Sequence, residues 1–506
     1  MTQQAFGEVA ETHSAVVYFA GDMAFKLKKP VKLGFLDFST RQARAAACAR
    51  ESQLNRRFAP DVYLGVADVR APDGHICEHL VVMRRMPDSR RLSALIKAGE
   101  QTGPAVRQVA RILAAQHATA ERSPQISKQG SRDAVGLRWH DNLDQLHPAV
   151  RRNLVADAAL DEAARLADRF LAGRQPLFNA RIQSGRIVDG HGDLLAGDIF
   201  CLDDGPRILD CLDFDDQLRW LDGLDDAAFL AMDLEQLGAV DQAEDFTRWY
   251  SEYSGDPAPS ALRHHYVAYR AVVRAKVAWI RVCQGDVAAA PEARNLVATA
   301  LRHLRAGAVT LVMVGGPPGT GKSTLAGAIA DRLGFTVLSS DRVRSELAGV
   351  APGQHGAVGY GTGIYTQSWT DRTYAEIVRR AADLLALGES VILDATWRSG
   401  EHRQAAADAA DRATADLVQL RCSIPSQLAA SRVASRAPGI SDATPEIAAR
   451  LAAEEAPWPE AVAIDTSMSQ GASGSRRDAI HMALAAIRPH GPEHVWRPVR
   501  PYMTPD

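Results

Sequence analysis

The chain has 506 residues, which is too long for one ordinary hydrophobic core and predicts two or three domains. Its 58 basic and 61 acidic residues give a net charge of −3, so no global field would attract nucleic acid or an anionic membrane. The six cysteines form no Cys-x-x-Cys pair and no apolar run approaches membrane-spanning length, so we expect a cytoplasmic protein without a disulfide framework.

The first part of the chain predicts a small β lobe followed by helices. Apolar alternation in 15–19 and 23–28, on either side of Ala20-Gly21-Asp22, is typical of a β-hairpin. Helical patterns and then two short strands follow, at 40–57, 105–121, 155–171, 186–188 and 207–209. Helical patterns dominate from there to about residue 305, and we therefore predict an α+β domain with a small β lobe and a helical lobe over residues 1–300.

The second part of the chain predicts a different architecture. Strand patterns alternate with helical patterns from residue 310 onward, at 311–314, 335–338, 391–393, 417–420 and 462–464. This alternation is typical of an α/β domain in which helices flank a parallel sheet. We place this domain at residues 306–488 and an irregular tail at 489–506.

A phosphate-binding loop follows the first of these later strands. Only small residues let successive backbone N–H groups curl around a phosphate, while Lys322 would reach the β- and γ-phosphates and Ser323 would hold Mg²⁺. The helix that begins at Lys322 points its positive dipole end at the anion. This pattern predicts a site for ATP or another nucleoside triphosphate, formed by Gly316, Pro317, Pro318, Gly319, Thr320, Gly321, Lys322, Ser323 and Thr324.

Charged residues also follow the next two predicted strands. Asp341 lies after the second strand, where open α/β sheets place functional loops, and could accept the proton of an acceptor hydroxyl. Arg344, three residues later, either neutralises the acceptor or a phosphate, or forms a surface ion pair with an N-cap aspartate. Asp394 follows the strand 391–393 and resembles the acidic residue that P-loop enzymes place near Mg²⁺ through water.

Two arginines further along could belong to a lid. Arg432 and Arg436 are four residues apart on one helix face and precede the flexible pattern of 437–442. They are either arginines that stabilise the transferring phosphoryl group or a solvated basic face, and the sequence favours neither interpretation.

A second group of candidate residues begins at His191-Gly192-Asp193. Asp193 is placed to accept a hydroxyl proton, and Asp198 and Asp210 are placed to hold Mg²⁺. Alternatively, His191 orients a loop and the aspartates cap turns, which is a common role of aspartate in loops.

These residues, together with the hairpin lysines, resemble the aminoglycoside phosphotransferase and protein-kinase-like fold. Other stretches resemble bacterial fusion proteins in which such a domain precedes a P-loop kinase domain, at 12–14, 26–30, 35–39, 55–57 and 82–87. The resemblance implies that Asp193 is the catalytic base and that Asp210 is a Mg²⁺ ligand. The family usually has Asn where this chain has Asp198, which places an extra negative charge beside the phosphates.

The same resemblance assigns roles in the predicted β lobe. Lys26 would contact the α- and β-phosphates, and Glu51 on the following helix would pair with it. Lys28 lies on the same strand face and is an alternative phosphate contact. The segment 82–86 would be a hinge that meets the adenine, with Met83 packing on the base.

The chain from residue 310 onward resembles P-loop kinases related to polynucleotide kinases, zeta-type toxins and gluconate kinase. The resemblance implies in-line transfer of the γ-phosphoryl group to a hydroxyl. The region 349–368, with Tyr360 and Tyr365, is the part expected to touch the acceptor, although the pattern somewhat favours a mobile loop with core tyrosines.

We therefore expect an ATP- and Mg²⁺-dependent kinase with two nucleotide sites that phosphorylates hydroxyls of small molecules. In one alternative, the N-terminal domain senses a nucleotide or metabolite and regulates a C-terminal ATPase. In another, the C-terminal domain phosphorylates nucleic-acid 5′-hydroxyls, which its lack of lysines other than Lys322 disfavours. An acidic cluster either attracts a cationic substrate or caps and solvates helices: Asp222, Asp225, Asp226 and Asp233. Nothing in the sequence indicates an oligomeric state.

Overall fold

The computed structural model divides the chain into two compact units. It describes residues 8–11, 15–33, 36–152, 154–349, 363–435, 446, 450–451, 453–454, 456–467 and 475–488. Unit 1 comprises Met1–Asp157, Phe178–Ala258 and Tyr266–Ala300, and unit 2 comprises Ala158–Leu177, Pro259–His265 and Leu301–Asp506. The predicted tail at 489–506 lies outside the described residues.

Two stretches within the predicted first domain belong to unit 2 in the structure. An ion pair joins Glu162 to Arg305 at 2.8 Å, and Arg174 donates to the carbonyl oxygen of Ala413 at 2.6 Å. Each unit is therefore built from several segments of the chain, and no single boundary in the sequence separates them. Within the described ranges, no helix is both long and apolar enough to cross a membrane.

Unit 1 begins with a five-stranded antiparallel sheet in the order β1-β2-β3-β7-β6. The predicted hairpin is formed by β2 and β3, and Gly21, with φ of 57°, makes its turn. The strands in the first 300 residues are β1 (Val9–Glu11), β2 (Ala15–Ala20), β3 (Met23–Lys28), β4 (Lys32–Leu33), β5 (Leu36–Asp37), β6 (Tyr63–Arg70), β7 (Ile76–Arg84), β8 (Ile187–Asp189), β9 (Ile199–Leu202), β10 (Gly205–Ile208) and β11 (Trp220–Asp222).

Helices make up most of the chain after this sheet. The hydroxyl of Thr40 accepts from the backbone N–H of Ala43 at 3.1 Å and caps the first helix, as its position before the apolar pattern favours. The helices up to Ala306 are α1 (Arg41–Asn55), α2 (Leu92–Lys97), α3 (Gly103–Thr119), α4 (Pro124–Gln129), α5 (Arg132–Arg151), α6 (Asp157–Ala172), α7 (Gln175–Gln183), α8 (Gly223–Gln236), α9 (Val240–Ser254), α10 (Ser260–Cys283) and α11 (Ala289–Ala306).

Unit 2 contains a five-stranded parallel sheet flanked by helices, as the alternating pattern predicts. Its strands are β12 (Thr310–Gly315), β13 (Thr336–Ser339), β14 (Val391–Asp394), β15 (Asp416–Ser423) and β16 (Val462–Asp465), in the order β13-β14-β12-β15-β16. Its remaining helices are α12 (Lys322–Leu333), α13 (Ser340–Ala348), α14 (Gln367–Ala386), α15 (Gly400–Arg412), α16 (Ser426–Ala434) and α17 (Ser475–Ile487). The predicted fold class of both parts is confirmed.

The core of the parallel sheet fixes where its strands end. Every residue of β12 is buried, as is usual for a central parallel strand, and Val312 and Val314 pack with Leu325 and Ile329 of α12. In the strand register Val314 pairs with Asp394, and Asp394 pairs with Ser339. The carboxyl ends of β12, β13 and β14 therefore meet at one edge of the sheet.

Candidate nucleotide and acceptor sites

The phosphate-binding loop has a backbone that only glycine adopts without strain. Gly316, Gly319 and Gly321 have φ of 130°, 86° and 86°. A Cβ atom would lie 2.6 Å from the carbonyl oxygen of Cys422 at Gly316 and 2.5 Å from that of Ala429 at Gly319. The backbone at Cys422 and Ala429 therefore packs closely against the loop, and the loop leads directly into α12.

Side chains around this loop carry the groups that a magnesium-bound triphosphate requires. Lys322 Nζ donates to the carbonyl oxygen of Pro317 at 3.1 Å, so its ammonium group folds back over the loop. Ser323 Oγ donates to Asp394 Oδ2 at 2.7 Å, and Asp394 is 6% exposed. A hydroxyl and a carboxylate side by side at a helix N-terminus suit Mg²⁺ with phosphate, so the donor set fits the predicted metal.

The structure places Asp341 at the same edge of the sheet. It lies in the first turn of α13, two residues after the end of β13, and Arg344 Nη1 lies 3.4 Å from its Oδ1. Arg344 is 8% exposed, its guanidinium stacks over the ring of Tyr365 at 5.1 Å, and its Nε has no hydrogen-bond partner among the described residues. The predicted pair is therefore a half-buried carboxylate beside a buried cation, which differs from a surface ion pair.

Three residues around the end of β14 were missed by the sequence interpretation. The carbonyl oxygen of Thr396 accepts from the backbone N–H of Gly316 at 3.3 Å. Tyr374 Oη lies 3.0 Å from Thr396 Oγ1 and accepts from the backbone N–H of Trp397 at 3.2 Å. Trp397 is fully buried at φ of 53°, an unusual value for a bulky residue. An aromatic residue so soon after a strand end was the available signal.

The two predicted lid arginines have different outcomes. Arg432 donates to the carbonyl oxygens of Thr466 at 3.1 Å and Ser467 at 2.8 Å, so its guanidinium fastens backbone and is not simply solvated. The hydroxyl of Thr466 in turn donates to the carbonyl oxygen of Thr320 in the phosphate loop. Arg436 lies outside the described residues, as does most of the predicted acceptor region, including Tyr360.

In unit 1 the two candidate lysines share one buried carboxylate. Glu51 on α1 is 1% exposed, and its two oxygens lie 2.7 Å from the ammonium groups of Lys26 and Lys28. Lys26 also lies 3.3 Å from Asp210, whereas Lys28 lies 2.8 Å from Asp213. Burial opposes the charge of Lys26, but Asp210 and Glu51 raise its pKa well above the usual value. Only Lys26 thus reaches the predicted metal ligand.

A hairpin brings the predicted metal ligands together. In the register of β9 and β10, Ile199 pairs with Ile208, and the carbonyl oxygen of Asp198 accepts from the backbone N–H of Leu209 at 3.0 Å. Asp210 is exposed and has φ of 62°, which is uncommon for a residue other than glycine. His191 Nε2 lies 3.0 Å from the carbonyl oxygen of Leu209, so the loop that carries Asp193 meets the same turn.

The three aspartates differ in their electrostatic environment. Burial raises the pKa of Asp193 to about 6, against the opposing effect of Arg274. Burial, reinforced by Asp210 and then Asp193, raises the pKa of Asp198 to about 7. The ammonium group of Lys26 lowers the pKa of Asp210. The extra carboxylate at residue 198 therefore does not ionise as readily as an ordinary aspartate.

No tight cluster of three or more His, Cys, Asp or Glu side chains in the described ranges is arranged to hold a metal ion. The predicted sites need fewer protein ligands, because phosphate oxygens and water complete the coordination of Mg²⁺ in kinase-type sites. Asp198 and Asp210 would hold the metal, and the neighbouring Lys26 would contact a phosphate, so this group of residues fits such a site.

The acidic cluster on α8 and β11 is buried, so it does not form a surface for a cationic substrate. Asp222 and Asp225 pair with Arg181 and Arg270 at 2.6 and 2.7 Å. Asp226 is fully buried and accepts from the backbone N–H groups of His191 at 2.6 Å and Gly192 at 2.9 Å. Asp233 accepts from the backbone of Ala196 at 2.8 Å. Asp226 and Asp233 therefore hold the loop that carries Asp193 in place.

Two further positioning residues lie at the C-terminal end of α1 and just after it. Asn55 Oδ1 accepts from the backbone N–H of Cys211 at 2.8 Å, directly after Asp210. Arg57 donates to the carbonyl oxygens of Asp189 at 3.2 Å and Gly190 at 2.8 Å, directly before His191. The helix that carries Glu51 is thus fastened to both loops of the candidate site.

The predicted adenine contact, Met83, lies in the small lobe. Met83 is in β7, opposite Tyr63 and Ala24, and is half-buried against a cluster that includes Val81 and Val62. Its position on the strand next to β3 places it in the same lobe as Lys26. Its contact with a base remains a prediction.

Comparisons with known proteins find matches to different parts of the chain. Residues 311–455 match the family model of an AAA domain. The chain is similar to a choline/ethanolamine kinase family protein of Mesorhizobium loti, at 16% identity and a TM-score of 0.36, over 59% of this chain and 92% of that chain. It is also similar to a gluconokinase of Sinorhizobium meliloti, at 19% identity and a TM-score of 0.24, over 35% of this chain and 93% of that chain. At these TM-scores neither likeness bears on activity.

Full-length relatives occur in mycobacteria. Uncharacterized proteins of Mycobacterium tuberculosis and Mycobacterium bovis are 44% identical to this chain over 499 residues, which is 98% of this chain and 97% of each relative. The matched length therefore includes residues of both units. The chain therefore belongs to the family of these mycobacterial proteins, and its residues 311–455 match the model of an AAA domain.

Proposed function

We propose that the protein is an ATP-dependent phosphotransferase with two nucleotide sites, each transferring the γ-phosphoryl group to a hydroxyl of a small molecule. The observation that carries the proposal is the shared edge of the parallel sheet. The glycine loop with Lys322, the Ser323–Asp394 pair and Asp341 follow three strands whose ends are in register. Open α/β sheets bind their ligands at this edge.

In unit 2 the chain would position the reactants and neutralise charge. The backbone of the loop and Lys322 would hold the phosphates, while Asp341 would accept the proton of the acceptor hydroxyl. The acceptor oxygen bonds to the γ-phosphorus as the bond from that phosphorus to the bridging oxygen breaks, and ADP leaves. Mg²⁺, bound by Ser323 and through water by Asp394, would supply neutralisation of the phosphate oxygens.

In unit 1 the same reaction would use different groups. Lys26, held by Glu51, would contact the phosphates, and Asp193 would accept the hydroxyl proton. Asp198 and Asp210 would bind the metal. The loop of Asp193 is fixed through Asp226, so the base is positioned before any ligand binds.

The crowded aspartates also favour a second candidate for unit 1. With its pKa near 7, Asp198 is partly protonated at neutral pH, and when ionised it adds repulsion beside Asp210. Unit 1 would then bind a nucleotide and regulate unit 2 without catalysing transfer. Separate replacement of the two sites distinguishes these candidates.

The acceptor itself is expected to be an anion. In unit 2 the buried cation Arg344 lies beside the proposed base Asp341. In unit 1 Arg274 is the charge that most lowers the pKa of Asp193, and the described residues give Arg274 no ion pair or hydrogen bond. Arg270, one turn earlier on α10, is already paired with Asp225. A carboxylate or phosphate on the acceptor would accept hydrogen bonds from Arg274 and from Arg344, which the protein pairs only with the proposed base Asp341.

The first prediction concerns separate loss of the two sites. Lys322→Met removes a phosphate contact and should lower the turnover of unit 2 by about 10²–10³-fold. Asp193→Asn removes a general base and should lower that of unit 1 by about 10²–10⁴-fold. ATP consumption with a panel of hydroxyl acceptors measures both. If Asp193→Asn changes no activity while Lys322→Met abolishes all of it, unit 1 is regulatory.

The second prediction concerns pH, measured in the Lys322→Met background so that unit 1 is observed. A base must be deprotonated, so kcat should rise with pH and level off above about 6, the raised pKa of Asp193. Affinity for magnesium ATP should rise with pH and level off above about 7, because protonated Asp198 is a poor ligand. Asp198→Asn should remove this second dependence and keep the first. An unchanged affinity profile in that variant would contradict the assignment.

The third prediction concerns acceptor charge. Each sugar acid should have a kcat/KM at least about tenfold above that of its neutral sugar, since a charged hydrogen bond contributes roughly 1.5–3 kcal/mol. Arg344→Met in the Asp193→Asn background, and Arg274→Met in the Lys322→Met background, should each abolish the preference through KM. Arg379→Met, which changes an exposed arginine on α14, serves as the control. Faster turnover of cationic amino sugars would contradict this part of the proposal.

A further inference from the structure

Unit 2 contains a buried cation for which the protein supplies no anion. Arg174 lies just after α6 and is 1% exposed. Its Nη1 donates to the carbonyl oxygens of Ala413 at 2.6 Å and Gly173 at 2.9 Å. No carboxylate pairs with it in the described part of the chain, and its buried Nε lacks an acceptor there. A buried charge with neutral acceptors alone is costly.

The guanidinium group borders a small cavity. The cavity has a volume of about 30 Å³ and is lined by Arg169, Arg174, His265, Gly307, Val309 and Asp416, among others. This space exceeds that needed for one water molecule and suits a single small ion. All of the lining residues belong to unit 2.

The other charges of the lining already have partners. Arg169 pairs with Asp416 at 2.7 Å, so these two charges compensate each other. His265 stacks on Phe170 with ring centroids 4.3 Å apart, and burial lowers its pKa to about 3, which leaves it neutral at neutral pH. Burial, with a contribution from Arg169, lowers the pKa of Arg174 to about 10, so Arg174 remains charged. His303, which also lines the cavity, lies 2.9 Å from His264. The guanidinium group of Arg174 lies 5.8 Å from the ring centroid of Phe170, and no carboxylate of the described residues offsets its charge.

We propose that this cavity is a binding site for a small inorganic anion, held by the guanidinium group of Arg174. The site lies at the opposite end of the parallel sheet from the phosphate loop, because Val309 directly precedes β12 and Asp416 begins β15. The backbone N–H of Asp416 donates to the carbonyl oxygen of Val309 at 2.8 Å, which joins the cavity wall to both strands. It is distinct from both candidate nucleotide sites.

The experiment is thermal unfolding of the full chain as chloride or bromide replaces methanesulfonate at constant ionic strength. Methanesulfonate serves as the weakly binding reference anion. A ligand that binds only the folded state raises the midpoint, so Tm should rise saturably by about 2–4 °C with chloride or bromide. Arg174→Met should lose this response, and the exposed-site control Arg379→Met should keep it.

A second measurement covers the case in which Arg174→Met does not fold. Anomalous diffraction from bromide-soaked crystals of the wild-type protein should show one bromide in the cavity, within hydrogen-bond distance of the Arg174 guanidinium group. Water alone in the cavity, with equal Tm in all three salts, would overturn the proposal. An equal bromide response in folded Arg174→Met would overturn it as well.

Discussion

The candidate chemistry of unit 2 depends on one constraint, the register of three parallel strands. Hydrogen bonding between β12 and β14 sets Asp394 opposite Val314, two residues before the phosphate loop. The pairing of β13 with β14 then sets Ser339 at the same level, so the helix that carries Asp341 begins at the same edge. A shift of one residue in either pairing would move a carboxylate away from the loop and break the Ser323–Asp394 contact.

In unit 1, side-chain contacts position the candidate residues. Its candidate residues come from β3, α1 and two loops, and buried polar groups hold these pieces in place. Glu51 receives both lysines, while Asp226 receives the backbone of the loop that carries Asp193. Because each of these carboxylates is buried with its partners, removing either one would leave uncompensated groups in the interior. The candidate site of unit 1 therefore depends on buried carboxylates that position the candidate residues without taking part in the transfer.

The sequence predicted those parts of the protein that depend on neighbours in the chain. The hairpin, the glycine loop with its following helix and the alternating strands each have a local signature, and the structure contains all of them. Ser323 and Asp394 were each predicted near Mg²⁺, and the structure brings the two side chains into contact.

Contacts between distant residues account for what the sequence did not predict. Asn55 meets Cys211 across 156 positions, and Tyr374 meets Thr396 across 22, without a periodic pattern to reveal either. The aspartates of α8 could be either a surface or an anchor, because burial of a carboxylate depends on partners such as Arg181, 41 positions from Asp222. The non-contiguous make-up of unit 2 is invisible for the same reason.

Calorimetric titration with a non-hydrolysable ATP analogue and Mg²⁺ tests the central claim most directly, since it counts occupied sites without knowledge of the acceptor. The account predicts two bound nucleotides per chain in the wild-type protein and one in Lys322→Met. Absence of binding heat in the wild-type protein, or a single site that Lys322→Met leaves unchanged, would contradict it.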